Sequence, residues 1–482
     1  MDQTHDQISA KTQESPYPTL RHILDQFTDC ADLEHQIFPH LQLDMLYFSH
    51  LADQQAMKND LFDPFATVPR PDVKELLSQS RYIECSDSKK IVHSLLSGNA
   101  ALFYQGRAYI VSVGGPITRS LQQSETESVI TGPHDSFTES LTMNLSLIRR
   151  RVKSSHLKVI TMSVGEISKM DVRILYIESI ANMDFVHQLV ERINGIEMDS
   201  VLEANMLVQL IDENPNSIFP QFLTSERPDV ISSKLMAGRV VGLVDNSPSA
   251  FSAPTSFFEF FASPDDYYQR FAVGTSLRVL RFIAFIIAVS FTAFYVSVTT
   301  FHYEMIPQSM LLNLATSRTR VPFPPLYEAF LMEITIELLR EAGARLPTKI
   351  GQTIGIVGGI VIGTAAVQAG LTSNILIIAV ALSAIASFVI PSYIMSASIR
   401  LIRFGLILLA GIWGNFGLMF GISIIVIHLS GITNLGTSYL TPVAPLNLGD
   451  WKDIFIRAPF WWIKTRPMQT KTPNKVRNKM KK

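Results

Sequence analysis

The stretch Gly351–Gly370, GQTIGIVGGIVIGTAAVQAG, carries no charged residue. Apolar runs of about 18 residues or more are long enough to cross a bilayer as a helix. Yet glycine is a poor helix former in water. Gly351, Gly355, Gly359 and Gly363 recur at every fourth position, and at about 100° per residue they line up as a narrow ridge. In lipid such a ridge lets another helix backbone come close, which is a main source of helix association. The opposite face carries Ile350, Thr353, Val357, Val361, Thr364 and Gln368. It is apolar at its centre and polar toward both ends. That profile fits tight packing within one subunit, or a water-filled passage narrowed by a hydrophobic constriction. In the second reading Val357 and Val361 form a gate, and Thr364 and Gln368 continue its lining.

The surroundings extend the membrane reading. Between Ile350 and Ile399 there is no Asp, Glu, Lys or Arg, and after Arg403 the next is Asp450. Apolar segments near residues 279–300, 350–371, 374–396 and 404–429 predict an all-α polytopic membrane domain over residues 273–449. At the C-terminus, Trp451, Trp461 and Trp462 precede a strongly basic tail, which reads as an interfacial aromatic segment and a cytoplasmic end over 450–482. The N-terminus lacks the basic and apolar regions of a secretory signal. Both ends are then inside, the number of spans is even, and four is the expectation. Arg400 and Arg403 would face outward on that count, against the positive-inside trend.

One segment does not fit a simple span. Residues 326–345 have helical periodicity but carry Glu333, Glu337, Arg340, Glu341 and Arg345. Glu337/Arg340 and Glu341/Arg345 can pair on the helix surface, whereas Glu333/Glu337 and Glu337/Glu341 are like-charge neighbours. This predicts an amphipathic helix lying on the membrane surface or at a subunit contact. The alternative is a ring of carboxylates that attracts cations at a pore mouth.

The first half reads as soluble. Residues 1–35 are expected to be a polar, mobile leader, followed by two α/β subdomains at 36–125 and 126–272. In the first, ALFYQGRAYIVSV predicts a hairpin around Gln105-Gly106 and IVHSLLSG a helix ending at Gly98. In the second, VRILYIESI reads as a buried strand, DFVHQLVERINGI as a helix stopped near Gly195, and RVVGLVDNSPSAFSAP as two strands around a turn. No tandem repeat is evident. Arg149, Arg150 and Arg151 close a predicted helix, where cations complement the dipole. With Arg239 they are candidates for contacts with neighbouring subunits or anionic headgroups. The expected fold is therefore multidomain, a cytoplasmic α/β N-terminal region of two subdomains followed by the membrane domain.

The net charge of −1 gives no support for nucleic-acid binding. Cys30 and Cys85 have no metal-ligand spacing, and a cytoplasmic disulfide is not expected. The chain has no P-loop, HExxH or GxSxG. No catalysis, cofactor or metal is expected. A secondary transporter and a non-conducting scaffold are the rival readings. No inverted second half supports the first.

GPHDSFTESLTMNLSLIRRRVKS, LYIESIAN, QLIDENPNSIFPQFLTSERPDV, GRVVGLVDNSPSAFSAPTSFFEFFASPDDYY, PFPPLYEAFLMEITIELLREAGARLPTKIGQTIGIVGGIVIG and FIRAPFWW together resemble the A subunit of GerA-type spore germinant receptors, over about residues 41–467. The SpoVAF-type proteins share this architecture. The resemblance implies the spore inner membrane, with the N-terminal domain and tail on the core side. It implies a transporter-like B subunit and a lipoprotein C subunit as partners. It also implies a homo-oligomeric ring of A subunits forming a nutrient-gated channel for monovalent cations. Two stretches depart from the family pattern. His134-Asp135 stands where a basic residue follows Gly-Pro, and VGEISKMDV is less basic than usual.

Overall fold

The computed structural model describes residues 18–115, 127, 129, 131–347, 358–359 and 361–480. Helix α1 (Leu20–Gln26) leads into strands β1 (Glu34–Phe38) and β2 (Leu43–Tyr47). Short helical turns between residues 54 and 77 follow, then β3 (Tyr82–Glu84), α2 (Ser88–Leu96), β4 (Ala100–Tyr104) and β5 (Arg107–Val111). The same succession then recurs. Helix α3 (Leu141–Arg151) precedes β6 (Leu157–Val164) and β7 (Met170–Ile177). Next come α4 (Met183–Asn194), α5 (Ala204–Ile211), β8 (Leu223–Ser225), α6 (Pro228–Met236), β9 (Val240–Val244) and β10 (Ala250–Ala253).

The strand orders are β1-β2-β4-β5-β3 and β6-β7-β9-β10-β8, so each sheet places its five strands in the same sequence. Every ladder among these strands is antiparallel. The chain thus contains one fold twice, contrary to the expectation of no repeat. The likeness lies in the spacing of elements rather than in residue identity. Where Leu102 stands opposite Tyr109, the second copy sets Gly242 opposite Phe251, and a side chain at Gly242 would collide with the Phe251 ring.

Both faces of each sheet are covered by helices. Leu43, Met45 and Tyr47 pack on Met57, Leu61 and Phe65, while Leu46 and Phe48 turn the other way onto Ile23, Ile91 and Leu95. In the second copy Val172, Ile174 and Tyr176 meet Phe185 and Leu189, and Leu175 and Ile177 meet Leu141, Ile148 and Ile231. This is period-2 alternation with apolar residues on both faces. Gln105 and Gly106 both take positive φ, 48° and 78°, the geometry of a tight hairpin turn that matches strand twist.

Within the expected leader, residues 18–35 are folded against the α/β region. Ile23 is fully buried in the first core, and residues 29–31 lie along the free edge of β6. There Ala31 N donates to Val159 O at 3.2 Å and Val159 N to Asp29 O at 3.1 Å. An edge strand offers unpaired backbone groups, and this segment satisfies them.

Beyond Arg270 the chain becomes helical. Helix α7 (Phe271–Thr300) leaves the second α/β copy, and α8 (Gln308–Arg318) lies past its far end. Helix α9 (Pro325–Arg345) returns, residues 361–368 form part of an outward helix, α10 (Asn374–Phe388) returns again, and α11 (Tyr393–Gly431) follows. Contacts fix these directions. At the far end the Tyr295 and Ser373 hydroxyls are 3.1 Å apart, and Ser373 N donates to Glu328 at 3.0 Å. At the near end Arg340 donates to Ser387 at 2.9 Å.

Two expected apolar segments divide. Residues 374–396 do not form one helix, because α10 stops before Pro391, which cannot continue a helix and disfavours helical geometry in the residue before it. Ser392 then caps α11, accepting from Met395 N. Inside α11, Gly414 leaves the helical region with φ 62° and ψ −142°. Side chains added at Gly417 and Gly421 would meet Leu409 and Leu406, so the two arms of α11 fold back against one another as a hairpin. Among the described residues, α7 and α11 are long and apolar enough to cross a membrane, and α10 is a shorter apolar helix.

The chain then returns to the α/β region. Leu435 sits in the core of the second copy. The expected tail is folded over residues 464–477, where Arg466 Nε donates to Met236 O at 3.0 Å and Thr472 bonds Ile180 O.

Candidate functional site: a charged seam in the helical bundle

Helix α9 carries three acids, Glu328, Glu333 and Glu337, that meet arginines from other helices of the bundle. Glu333 and Arg403 are both fully buried and form an ion pair of 2.8 Å. Thr292 Oγ1 donates to Glu333 at 2.9 Å, and Arg403 donates to Ser383 Oγ at 2.8 Å. One turn closer to the α/β region, Arg400 Nε donates to Glu337 at 2.9 Å and its Nη1 to Ser396 at 3.0 Å. Arg340 lies 3.9 Å from Glu337, and its guanidinium sits over the Phe388 ring at 4.2 Å. At the far end Glu328 is nearly fully buried, 3.6 Å from Arg318. The seam therefore follows α9 from Glu328 through Glu333 to Glu337.

The spacing explains the fit. Glu333 and Glu337 are four residues apart on one helix, and Arg400 and Arg403 are three apart on another. Each couple therefore occupies one face. The expected like-charge repulsion between Glu333 and Glu337 is offset by arginines from α11. This corrects the reading of α9 as a surface amphipathic helix, since Ala329, Met332 and Glu333 are buried in the bundle while Tyr327, Leu331, Ile334 and Leu338 are exposed. It also removes the objection raised by Arg400 and Arg403, whose charges are neutralised inside. Breaking a buried pair by deleting one partner costs about 3–5 kcal/mol, because the remaining charge is stranded. Glu341 and Arg345 pair at the exposed end of α9 at 2.5 Å.

The candidate gate helix is described only in part. Gly351, Gly355 and Val357 lie outside the described residues. Gly358 faces Leu339, whereas a methyl group added at Gly359 or Gly363 would meet no atom within 4 Å. Val361, Thr364 and Gln368 are exposed on the same segment. At Gly359 and Gly363 the glycine ridge is therefore open among the described residues. Ala366 faces inward, within the cluster formed by Ala293, Ala329 and Leu376.

The candidate arginines of the α/β region are engaged within the chain. Arg149 is fully buried and grips Asp32 through Nε and Nη2, both at 2.8 Å. Arg150 donates to Gly115 O at 2.6 Å and Arg151 pairs with Asp135. Arg239 binds Glu259 and Pro254 O. Arg149 is thus closed to the subunit or headgroup contacts expected of it, because its guanidinium charge is already neutralised inside, whereas Arg239 pairs with Glu259 at the wall of a cavity. The Asp135 that departs from the family pattern is the partner of Arg151.

Sequence reasoning missed the seam as a unit. The signal was present, as two acids and two bases in helical register within apolar surroundings. Which pairs meet depends on how α9 and α11 pack.

The profile of the Bacillus/Clostridium GerA spore germination protein family matches residues 19–469. Spore germination protein KA of Bacillus subtilis (strain 168) is 38% identical over 448 residues, covering 91% of this chain and 82% of that protein. Spore germination protein GerQA of Bacillus cereus is 43% identical over 390 residues, 80% of this chain and 78% of that protein. Spore germination protein A1 of Bacillus subtilis (strain 168) is 40% identical over 437 residues, 89% of each. Among solved structures, the N-terminal domain of the A subunit of the Bacillus megaterium spore germinant receptor GerK3 is 26% identical. It covers 49% of this chain and 94% of that chain, with a TM-score of 0.39.

Proposed function

Because the chain belongs to the GerA family of spore germination proteins, we propose that it is the A subunit of a nutrient germinant receptor. In this reading it spans the spore inner membrane with both ends on the core side, and assembles with B and C subunits. Copies of it form a ring that passes monovalent cations when nutrient is sensed. The membrane placement is supported by the bundle's exterior, where Ile286, Ile378, Phe388, Leu401, Phe416 and Ile427 are exposed at 60–74% around a charged interior. Large contiguous apolar surfaces mark membrane or protein contacts. Ionisable groups among membrane helices face inward and pair, as the seam does.

The observation that carries the ring is the open ridge at Gly359 and Gly363, with Val361 and Gln368 exposed on the same segment. Glycine ridges associate with other helices in lipid, and among the described residues none lies within 4 Å of where a side chain at Gly359 or Gly363 would begin. A second copy would supply the close contact, leaving Val361 to face the axis.

The test is potassium retention and membrane potential in cells expressing the chain with its two cognate partners. Val361→Ala is expected to leak without nutrient, because a smaller side chain weakens a hydrophobic barrier. A variant that assembles, responds to nutrient and stays tight removes Val361 as the gate. Assembly without conductance in the wild type would favour the scaffold reading.

A further inference from the structure

A cavity of about 270 Å3 lies where the second α/β copy, the segment entering α7 and the folded tail converge. At about 30 Å3 per liquid water, it holds a small ligand. Lys234, Arg239, Lys452, Lys464 and Arg477 line it, five bases in all. The acids facing them are Glu259, Asp450 and Asp453, so the wall carries two positive charges in excess.

Two of the three acids are paired with bases of the wall, and Asp450 accepts from Met468 N at 2.8 Å. Glu259 is shared between Lys234 at 2.7 Å and Arg239, and Asp453 lies 3.5 Å from Arg477. Arg239 is only 1% exposed, and its Nε–H finds no acceptor among the described residues. A buried donor without an acceptor costs about 1–3 kcal/mol unless something binds it. Burial also pushes the Lys234 ammonium down, and an anion in the cavity would counter that. Tyr267, Phe258 and Trp462 supply flat apolar walls beside the bases.

We propose that this cavity binds a phosphoryl group, held by Arg239 and Lys234 at its base and by Lys452 and Lys464 at its rim. Two excess positive charges match a phosphomonoester, which carries about −1.5 to −2 at neutral pH. The free Nε–H of Arg239 and the rim ammonium groups can each donate to a phosphate oxygen. The group has two possible sources. One is a free phosphorylated metabolite. The other is a lipid headgroup, since aromatic residues surround the foot of α7, with Phe258 and Phe455 at 5.1 Å and Phe271 and Trp461 at 6.5 Å. Occupancy would tie α6, the entry to α7 and the tail together, whether or not the chain conducts ions.

The experiment uses the full chain in phosphatidylcholine nanodiscs. Glycerol 1-phosphate is titrated by calorimetry, and the thermal midpoint is compared with nanodiscs that also contain phosphatidic acid, whose headgroup is a phosphomonoester. Lys452→Gln with Lys464→Gln removes the two rim charges without touching the buried pairs. The expected result is binding of at least one probe by the wild type, weakened about tenfold, or 1.4 kcal/mol, in the double variant. Calorimetric binding of glycerol 1-phosphate assigns a free metabolite. A midpoint rise in phosphatidic acid alone assigns the headgroup. Lys452→Gln by itself serves if the double variant fails to fold, with a smaller loss expected. No response to either probe, or equal responses in wild type and variants, overturns the site.

Discussion

The two α/β copies share a strand order but not their attachments. The second is fastened to everything around it. It receives Leu435 into its core, Thr472 against Ile180, and the Lys234–Glu259–Arg239 cluster beneath the cavity. The first is held to the second chiefly by Asp32–Arg149 and by the short pairing of residues 29–31 with β6. Duplication lets one copy specialise in coupling to the helices while the other presents its surface elsewhere. The lesson is that a repeated fold can divide its labour through a few buried polar contacts.

The sharpest way to break the comparison is Arg149→Met. It strands Asp32 in a buried site and is expected to cost about 3–5 kcal/mol, most of it in the docking of the first copy. Cys30 is free and buried at this junction, with its Sγ 3.5 Å from Leu157 O. Maleimide labelling of Cys30 should therefore rise sharply in the variant, while exchange protection of β7 and β9 persists. Unchanged labelling would mean that the edge pairing alone holds the copies together.

Leu435→Ala tests the other attachment. Truncating a leucine that is 1% exposed is expected to cost about 2–5 kcal/mol. Hydrogen exchange should quicken in β7 and β9 and leave β2 and β4 as they were. Equal loosening of both copies would show that they unfold as one unit.

The smallest effect is a difference in pH response. Burial, only partly offset by Asp32, holds the His50 imidazole of the first copy down at about 4. The unfolded chain, with a value of about 6.5, then binds more protons between those values. Stability of the first copy should fall by up to about 3 kcal/mol as pH drops from about 6.5 to about 4, and should not change above that window. In the second copy, burial pushes the Asp212 carboxyl up to about 7. Its folded form keeps a proton that the unfolded chain releases above about 4, so its contribution is lost as pH rises from about 4 to about 7. Rate-corrected hydrogen exchange on the full chain should show the first copy loosening in acid and the second loosening toward neutrality. His50→Gln should remove the first response only.

Much of the local structure was legible. The Gln105-Gly106 hairpin, the helix stopped at Gly195 and the strands either side of Asp245 follow from turn residues and period-2 alternation, which act over a few neighbours. The duplication was not legible, because Gly242–Phe251 and Leu102–Tyr109 fill the same positions with opposite sizes. The break at Gly414 was also hidden, since glycine tolerates both helix and turn, and only the packing of Leu406 and Leu409 on the returning arm selects the turn. The folded N-terminal segment was missed because its polar composition gives no sign that residues 29–31 would find an open strand edge.

The sequence by itself determined that an α/β first half gives way to an apolar helical second half, and that Gly351, Gly355, Gly359 and Gly363 recur at every fourth position. Composition and periodicity settle such matters locally, through solvation and helix geometry. Only the tertiary structure decided that Glu333 meets Arg403 and Glu337 meets Arg400, that Arg149 is spent on Asp32, and that Gly359 and Gly363 are left open. A charge in an apolar setting must find a partner, but which partner depends on helices brought together across long stretches of chain.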